Sequence, residues 1–230
     1  MKALVLSSGG LDSTTCVSIA VEKYGKENVS TVSFYYGQTL DKELKCAEAI
    51  AQHYELKHYL LDLSELFKFS NCSLLKHSTQ KIVEQSYEEQ YSSDKTITSY
   101  VPFRNGLMLS AVATLAQSLY PDESTTIILG NHADDFAYAD CSVSFVNKMD
   151  AAIREGTYNK VSFWSPLKDM TKADIVKKGL ELGTPYELTW SCYEGKDLAC
   201  GKCGSCLCRL EAFKLNNEQD KIKYEGVENE

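Results

Sequence analysis

The chain has 230 residues, 43% apolar and 24% charged, which fits one compact domain or one domain with a small appendage and excludes wholesale disorder. Lys plus Arg number 24 against 32 Asp plus Glu, a formal charge of −8, and this acidic excess argues against a broad nucleic-acid surface, which needs clustered cations. No stretch approaches the roughly 18 consecutive apolar residues of a membrane span, and the opening run Met1 to Leu6 is too short for the apolar centre of a signal peptide, so the expected location is cytoplasmic, with no membrane partner.

Ala3 to Ser7 reads as a short buried strand, Asp12 to Tyr24 as a helix, and the β-branched and aromatic run Val29 to Tyr36 as a second strand. Leu44, Ala47, Ile50, Ala51 and Tyr54 recur at helical spacing, and Leu56 to Leu61 reads as a third strand. The segment 64–100, rich in Ser, Lys and Glu, breaks the rhythm; so long a connection is a lid, a binding loop or a solvated insertion. Apolar positions from Leu107 to Leu119 predict a helix, Thr125 to Leu129 a strand ending at Gly130, and Phe145 to Ile153 a further helix. Thr171-Lys172-Ala173-Asp174 has the form of a capping box, opening a helix that Gly183 and Pro185 close. The polar tail 216–230 is expected to fray. This βαβα order predicts an α/β fold, a mostly parallel sheet with helices on both faces.

Ser8-Gly9-Gly10-Leu11-Asp12-Ser13-Thr14-Thr15 lies between the first strand and the first helix. Two glycines permit close backbone approach, and free amides at a helix start, with the Ser8, Ser13, Thr14 and Thr15 hydroxyls, make an anion site. The loop lacks the Gly-Lys-Ser/Thr ending of a Walker A motif and the G-x-G-x-x-G spacing of a dinucleotide site. A tight turn with an Asp or Ser helix cap is the plainer alternative.

Nine cysteines, an odd number, argue against a disulfide framework. Cys192, Cys200, Cys203 and Cys206 crowd one segment at the spacing C-x7-C-x2-C-x2-C. Four soft ligands in paired turns suit one structural Zn²⁺, with every position filled by protein; a redox C-x-x-C needs only two. Cys16, Cys46, Cys72, Cys141 and Cys208 read as small buried or half-buried thiols.

The loop Ser8 to Ser13 resembles the PP-loop of the N-type ATP pyrophosphatases. Together with the cysteine pattern completed by Arg209, and with Tyr36-Gly37-Gln38, Pro102-Phe103-Arg104-Asn105, Asp140-Cys141, Lys172-Ala173-Asp174-Ile175 and Thr189 to Tyr193, it resembles the QueC family over about residues 2 to 213. The resemblance implies a Rossmann-like, adenine nucleotide alpha hydrolase-like fold over 1–185 with the insertion 64–100, and a zinc-binding subdomain over 186–215. It implies a ligase forming carbon–nitrogen bonds, which converts 7-carboxy-7-deazaguanine and ammonia to 7-cyano-7-deazaguanine (preQ0) with ATP and Mg²⁺. AMP and pyrophosphate would leave, the setting would be queuosine biosynthesis, and the enzyme would be a homodimer with no direct nucleic-acid partner.

On the same ground Ser7, Ser8, Gly9, Gly10, Leu11, Asp12, Ser13, Thr14, Thr15, Cys16 and Val17 would hold ATP, and Asp12, Ser13, Lys172 and Arg104 would be catalytic. Tyr36, Gln38, Asp135 and Asp140 would meet the deazaguanine. Several of these have plainer alternatives: Lys172 as a solvated first-turn lysine, Arg104 as a surface ion pair, Tyr36 as core, and Asp134, Asp135 and Asp140 as ordinary loop carboxylates. His132 is placed near ammonia handling, whereas Trp164 and Trp190 read as core. The chain departs from the family pattern at Phe103, where Gly is common, at Ala139 and at Ser144. The competing functions are a related PP-loop enzyme that stops at the amide or modifies tRNA, and a zinc-stabilised nucleotide-binding module without catalysis.

Overall fold

The computed structural model describes residues 1–39, 42–80, 100–132, 138–194 and 197–226. Among them run β1 (Lys2–Leu6), α1 (Leu11–Tyr24), β2 (Val29–Tyr35), α2 (Lys42–His53), β3 (Lys57–Asp62), α3 (Ser64–Phe67) and α4 (Arg104–Leu119). Then follow β4 (Thr125–Ile128), α5 (Val143–Gly156), β5 (Val161–Trp164), α6 (Lys172–Glu181) and α7 (Gly204–Leu215).

The strands pair in the order β3-β2-β1-β4-β5, every neighbour parallel. Side chains alternate across the sheet as the pleat requires. Ala3 and Val5 enter a core shared with α1, α6 and α7, while Leu4 enters another shared with α4 and α5. Because both faces are covered, β4 is buried throughout, as expected of a parallel sheet.

The expected strands and helices through α5 are present, with ends moved by up to three residues, and α6 begins on the expected capping box of Thr171 and Asp174. Gly183, at φ +66°, turns the chain after it.

Three features depart from the sequence reading. β5 was not expected; four residues are too few for a clear pattern, and only pairing of Val161 to Trp164 with β4 reveals them. The helix α7 was masked by its cysteines, although Cys206, Arg209, Ala212 and Phe213 are all buried on it. The tail does not fray as far as Gly226. Ile222 and Tyr224 are buried against the cysteines, and Ala199 exchanges backbone hydrogen bonds with Lys223 (2.9 Å) and Glu225 (2.8 Å).

The described part of the insertion, 64–80 and Tyr100, is largely exposed but not detached. Phe67, Cys72 and Leu75 pack with Tyr36 and Val101, and Lys76 N–H donates to Gly37 O at 2.9 Å. Residues 64–80 thereby wall the loop that follows β2. Of the scattered cysteines, Cys16 and Cys72 are buried, whereas Cys208 is exposed, contrary to expectation, because it lies on the outer face of α7.

Candidate active site

The strand order reverses at β1, so the crevice between the carboxyl ends of β1 and β4 is the topological switch point where open parallel sheets take ligands. Ser7 to Gly10 leave β1 at this crevice, and Leu129 to His132 leave β4 beside them. The start of α1 carries no side-chain cap. Its first amides and the positive end of its dipole are therefore suited to an anion.

Ser13 organises the loop. Its Oγ accepts from Ser8 N–H (3.2 Å), lies 3.1 Å from Ser8 Oγ and donates to Gly10 O (3.2 Å). Thr14 Oγ1 donates to Gly10 O at 2.7 Å. Gly9 adopts φ +79°, and a Cβ there would fall on the Glu43 carbonyl oxygen and 2.8 Å from the Ala47 nitrogen. The loop thus lies directly against α2. Gly9→Ala is expected to destabilise the fold by about 1–3 kcal/mol, read as a lower denaturation midpoint; an unchanged midpoint would show that α2 can retreat.

The other loop residues divide by burial. Thr15, Cys16 and Val17 are fully buried. Thr15 Oγ1 bonds Tyr186 OH (2.8 Å) and Leu11 O (3.0 Å). The structure turns these three side chains into the core, so they fix α1 in place and do not face the crevice, as the expected ATP contacts would. Burial pushes the Cys16 thiol well up, with Asp12 adding to it, which keeps it neutral.

Lys172, at the start of α6, reaches the crevice. Its Nζ donates to both Asp12 oxygens (2.7 and 2.6 Å) and lies 3.2 Å from His132 Nε2. The His132 ring is itself 3.8 Å from Asp12 Oδ2. A carboxylate, an ammonium and an imidazole from three distant segments therefore meet at the loop, so Lys172 is not a solvated lysine.

A cleft opens beside the loop, lined by Tyr36, Gln38, Thr39, Glu43, Leu74, Cys192 and Tyr193. Gln38 spends its amide on the turn after β2, its Oε1 accepting from Tyr36 N–H (2.8 Å) and its Nε2 donating to Phe34 O (3.1 Å). Arg104, the first residue of α4, donates to Tyr36 OH at 3.2 Å and stands 5.3 Å from the centre of that ring. Phe103 before it adopts φ +51°, the region that glycine occupies freely. Asp140 is buried and accepts from Asn105 N–H at 2.9 Å; it caps α4 and is not offered to the cleft as a free carboxylate. Asp134 and Asp135 lie outside the described residues.

Glu43 was missed. An acidic residue in a first helical turn reads as a solvated complement to the dipole, and nothing local marks it otherwise. Burial pushes its carboxyl up to about 7, Arg104 opposing and Cys192 adding to the rise.

Cys192, Cys200, Cys203 and Cys206 bring four sulfurs within 4.8 Å of one another, all buried. Backbone N–H groups of Glu194 and Cys200 point at Cys192 Sγ, and those of Lys202 and Cys203 at Cys200 Sγ, the donors thiolates need. Hydrogen bonding with Cys192 first, and burial after it, push the Cys203 thiol up to about 11. Crowding of this kind favours a cation at the centre. The cluster can hold a metal ion; a tetrahedron of Zn–S bonds near 2.3 Å sets sulfurs roughly 3.8 Å apart, within reach of this arrangement.

Arg209 ties the cluster to the crevice. Fully buried, it grips Asp220 through Nε (2.5 Å) and Nη2 (2.8 Å), and donates to Thr189 Oγ1 (2.7 Å), Ser191 Oγ (3.3 Å) and Tyr186 O (3.2 Å). That fixes the segment 189–191, and Trp190 N–H donates to Gly9 O at 2.9 Å.

Residues 2–217 match the family model described as queuosine biosynthesis protein QueC. The 7-cyano-7-deazaguanine synthase of Pseudoalteromonas translucida is 38% identical over 97% of this chain and 99% of that protein. The protein of the same name from Campylobacter jejuni is 39% identical over 98% and 99%. Among solved structures, the U34-tRNA thiolase NcsA from Methanococcus maripaludis with its [4Fe-4S] cluster superposes with a TM-score of 0.50 at 13% identity, covering 94% of this chain and 64% of that one; the likeness is one of fold.

Proposed function

Because the chain belongs to the QueC family of queuosine biosynthesis proteins, a family of enzymes, we propose that it converts 7-carboxy-7-deazaguanine, ammonia and ATP to 7-cyano-7-deazaguanine, in the cytosol and as a homodimer. The observation that carries the reading is the uncapped start of α1 beneath Ser8 to Ser13, with Lys172 brought onto Asp12 at the same point.

In this reading the amides of the loop take the pyrophosphate end of ATP, and Lys172 moves from Asp12 to the phosphates. Asp12 is the carboxylate that would hold Mg²⁺, which when bound shares the phosphate charge. A substrate carboxylate oxygen attacks the α-phosphorus, and pyrophosphate leaves against the amide nest. Ammonia then attacks the acyl carbon and AMP departs, giving the amide; His132 is the base at hand for the proton. A second ATP adenylates the amide oxygen, and loss of AMP with the remaining nitrogen-bound protons gives the nitrile. Activation is chemically necessary at both stages, since neither a carboxylate nor an amide oxygen leaves unaided. Cys192, Cys200, Cys203 and Cys206 would hold Zn²⁺ as a structural ion, with no open position for substrate.

Incubation with ATP, Mg²⁺, ammonium and the carboxylated deazaguanine is expected to yield AMP, pyrophosphate and, by mass spectrometry, the nitrile. ADP with phosphate, or no turnover, overturns the reading, and accumulation of the amide overturns its second half.

A further inference from the structure

Two opposite charges stand beside the cleft and do not meet. Among the described residues the Glu43 carboxylate has no hydrogen bond or ion pair, although it feels Arg104 electrostatically. Arg104 uses one hydrogen bond, to Tyr36 OH, out of the five N–H donors a guanidinium carries. Both are half-buried, and a desolvated charge without partners is costly. Such an arrangement is stable when a ligand supplies acceptors to one group and donors to the other. The cleft beside them opens to solvent, with Tyr36 and Tyr193 as aromatic walls and Leu74 as an apolar one, surfaces suited to the faces of a planar base.

We propose that Glu43 and Arg104 read the Watson–Crick edge of a guanine-type base, and that Glu43 is the residue that makes the enzyme specific for it. That edge presents one acceptor, O6, followed by two donors, N1–H and the 2-amino group. Arg104 donates to O6, and the two oxygens of Glu43 accept from N1–H and the amine. An adenine edge has a lone pair at N1, which a carboxylate would repel. The backbone of Glu43 lies against Gly9, so a base held here is already beside the loop. The inference rests on the ligase reading for the identity of its substrate, and on the unpaired charges for its geometry.

Steady-state AMP release tests it, with 7-carboxy-7-deazaguanine and its 2-deamino analogue as substrates, in the wild type and in Glu43→Gln. The wild type is expected to prefer the amino-bearing acid by roughly 10- to 100-fold in kcat/KM, the range for leaving a buried acceptor unpaired. Glu43→Gln should lose about that factor on the amino-bearing acid, turn over the two acids almost equally, and keep its KM for ATP. An intact preference in the variant overturns the proposal, as does a raised KM for ATP with the acid's unchanged, which would place adenine in the cleft. Calorimetric binding of both acids to the wild type without ATP decides the matter should the variant fail to fold; equal affinities overturn the proposal. Preferential binding without AMP release would sustain the inference while the ligase reading falls, and equal AMP release from both acids the reverse.

Discussion

Asp12→Ala is expected to lower AMP release by roughly 10²–10³-fold, the range for losing an electrostatic element that acts in the transition state, while leaving the cysteine-bound metal and the melting temperature nearly unchanged. The plainer role for Asp12 is a favourable charge in the first turn of α1. That role is worth about 0.3–1 kcal/mol of stability and nothing in turnover, so the two roles differ by more than a hundredfold in the measured rate. The partner makes the test sharper. Lys172 Nζ is held by both Asp12 oxygens, so removing the carboxylate frees the ammonium for phosphate. The KM for ATP should therefore hold or fall, with the loss confined to kcat. Ser13→Ala should differ. It removes the hydroxyl that ties Ser8 and Gly10 together, and the loop would lose its shape before any chemistry, raising the KM for ATP. Full activity in Asp12→Ala would remove that carboxylate from the mechanism.

What the sequence discloses about this crevice follows from how local each signal is. The Gly-rich loop, the capping box of Thr171 and Asp174, and the four cysteines are each complete within a few residues, and all three are present in the structure. The meeting of Lys172 with Asp12 is not local. It depends on α6 packing beside α1 on the same face of the sheet, and a lysine in a first turn carries no mark of that. Glu43 and Arg104 are a stronger case. Each opens a helix at the carboxyl end of the same sheet, yet their relation exists only once β2 and the described part of the insertion have built the cleft between them. Asp140 shows the other side of this: a carboxylate in an acidic loop reads as a ligand, and the fold also engages it with the first turn of α4, where it accepts from Asn105 N–H. Gln38 is likewise drawn into bracing its own turn. Polar side chains near a site are recruited first by backbone groups that burial leaves unpaired, and sequence does not say which.

Cys203→Ser is expected to lose the metal, lower the melting temperature and abolish ATP turnover together. The small core around the cluster consists of Trp190, Ala199, Ile222 and Tyr224 besides the four cysteines themselves. Four side chains bury little surface for a segment of this length, so a bound ion is expected to supply much of its order. Binding of structural zinc is worth about 10–16 kcal/mol in small peptides, comparable to or larger than the roughly 5–15 kcal/mol that holds a whole domain. The effect reaches the crevice because the segment that enters the cluster also holds the loop: Trp190 N–H binds Gly9 O, and Arg209 fixes Thr189 and Ser191. Chelation of the wild type should reproduce the mutant, with turnover falling in step with metal content. Cys208→Ser is the control, since that thiol is exposed and stands outside the cluster; it should keep both metal and activity. Elemental analysis separates zinc from iron in the same sample. Full turnover in a metal-free Cys203→Ser protein would show that the loop holds its shape without the cluster, and would break the link from ion to Gly9.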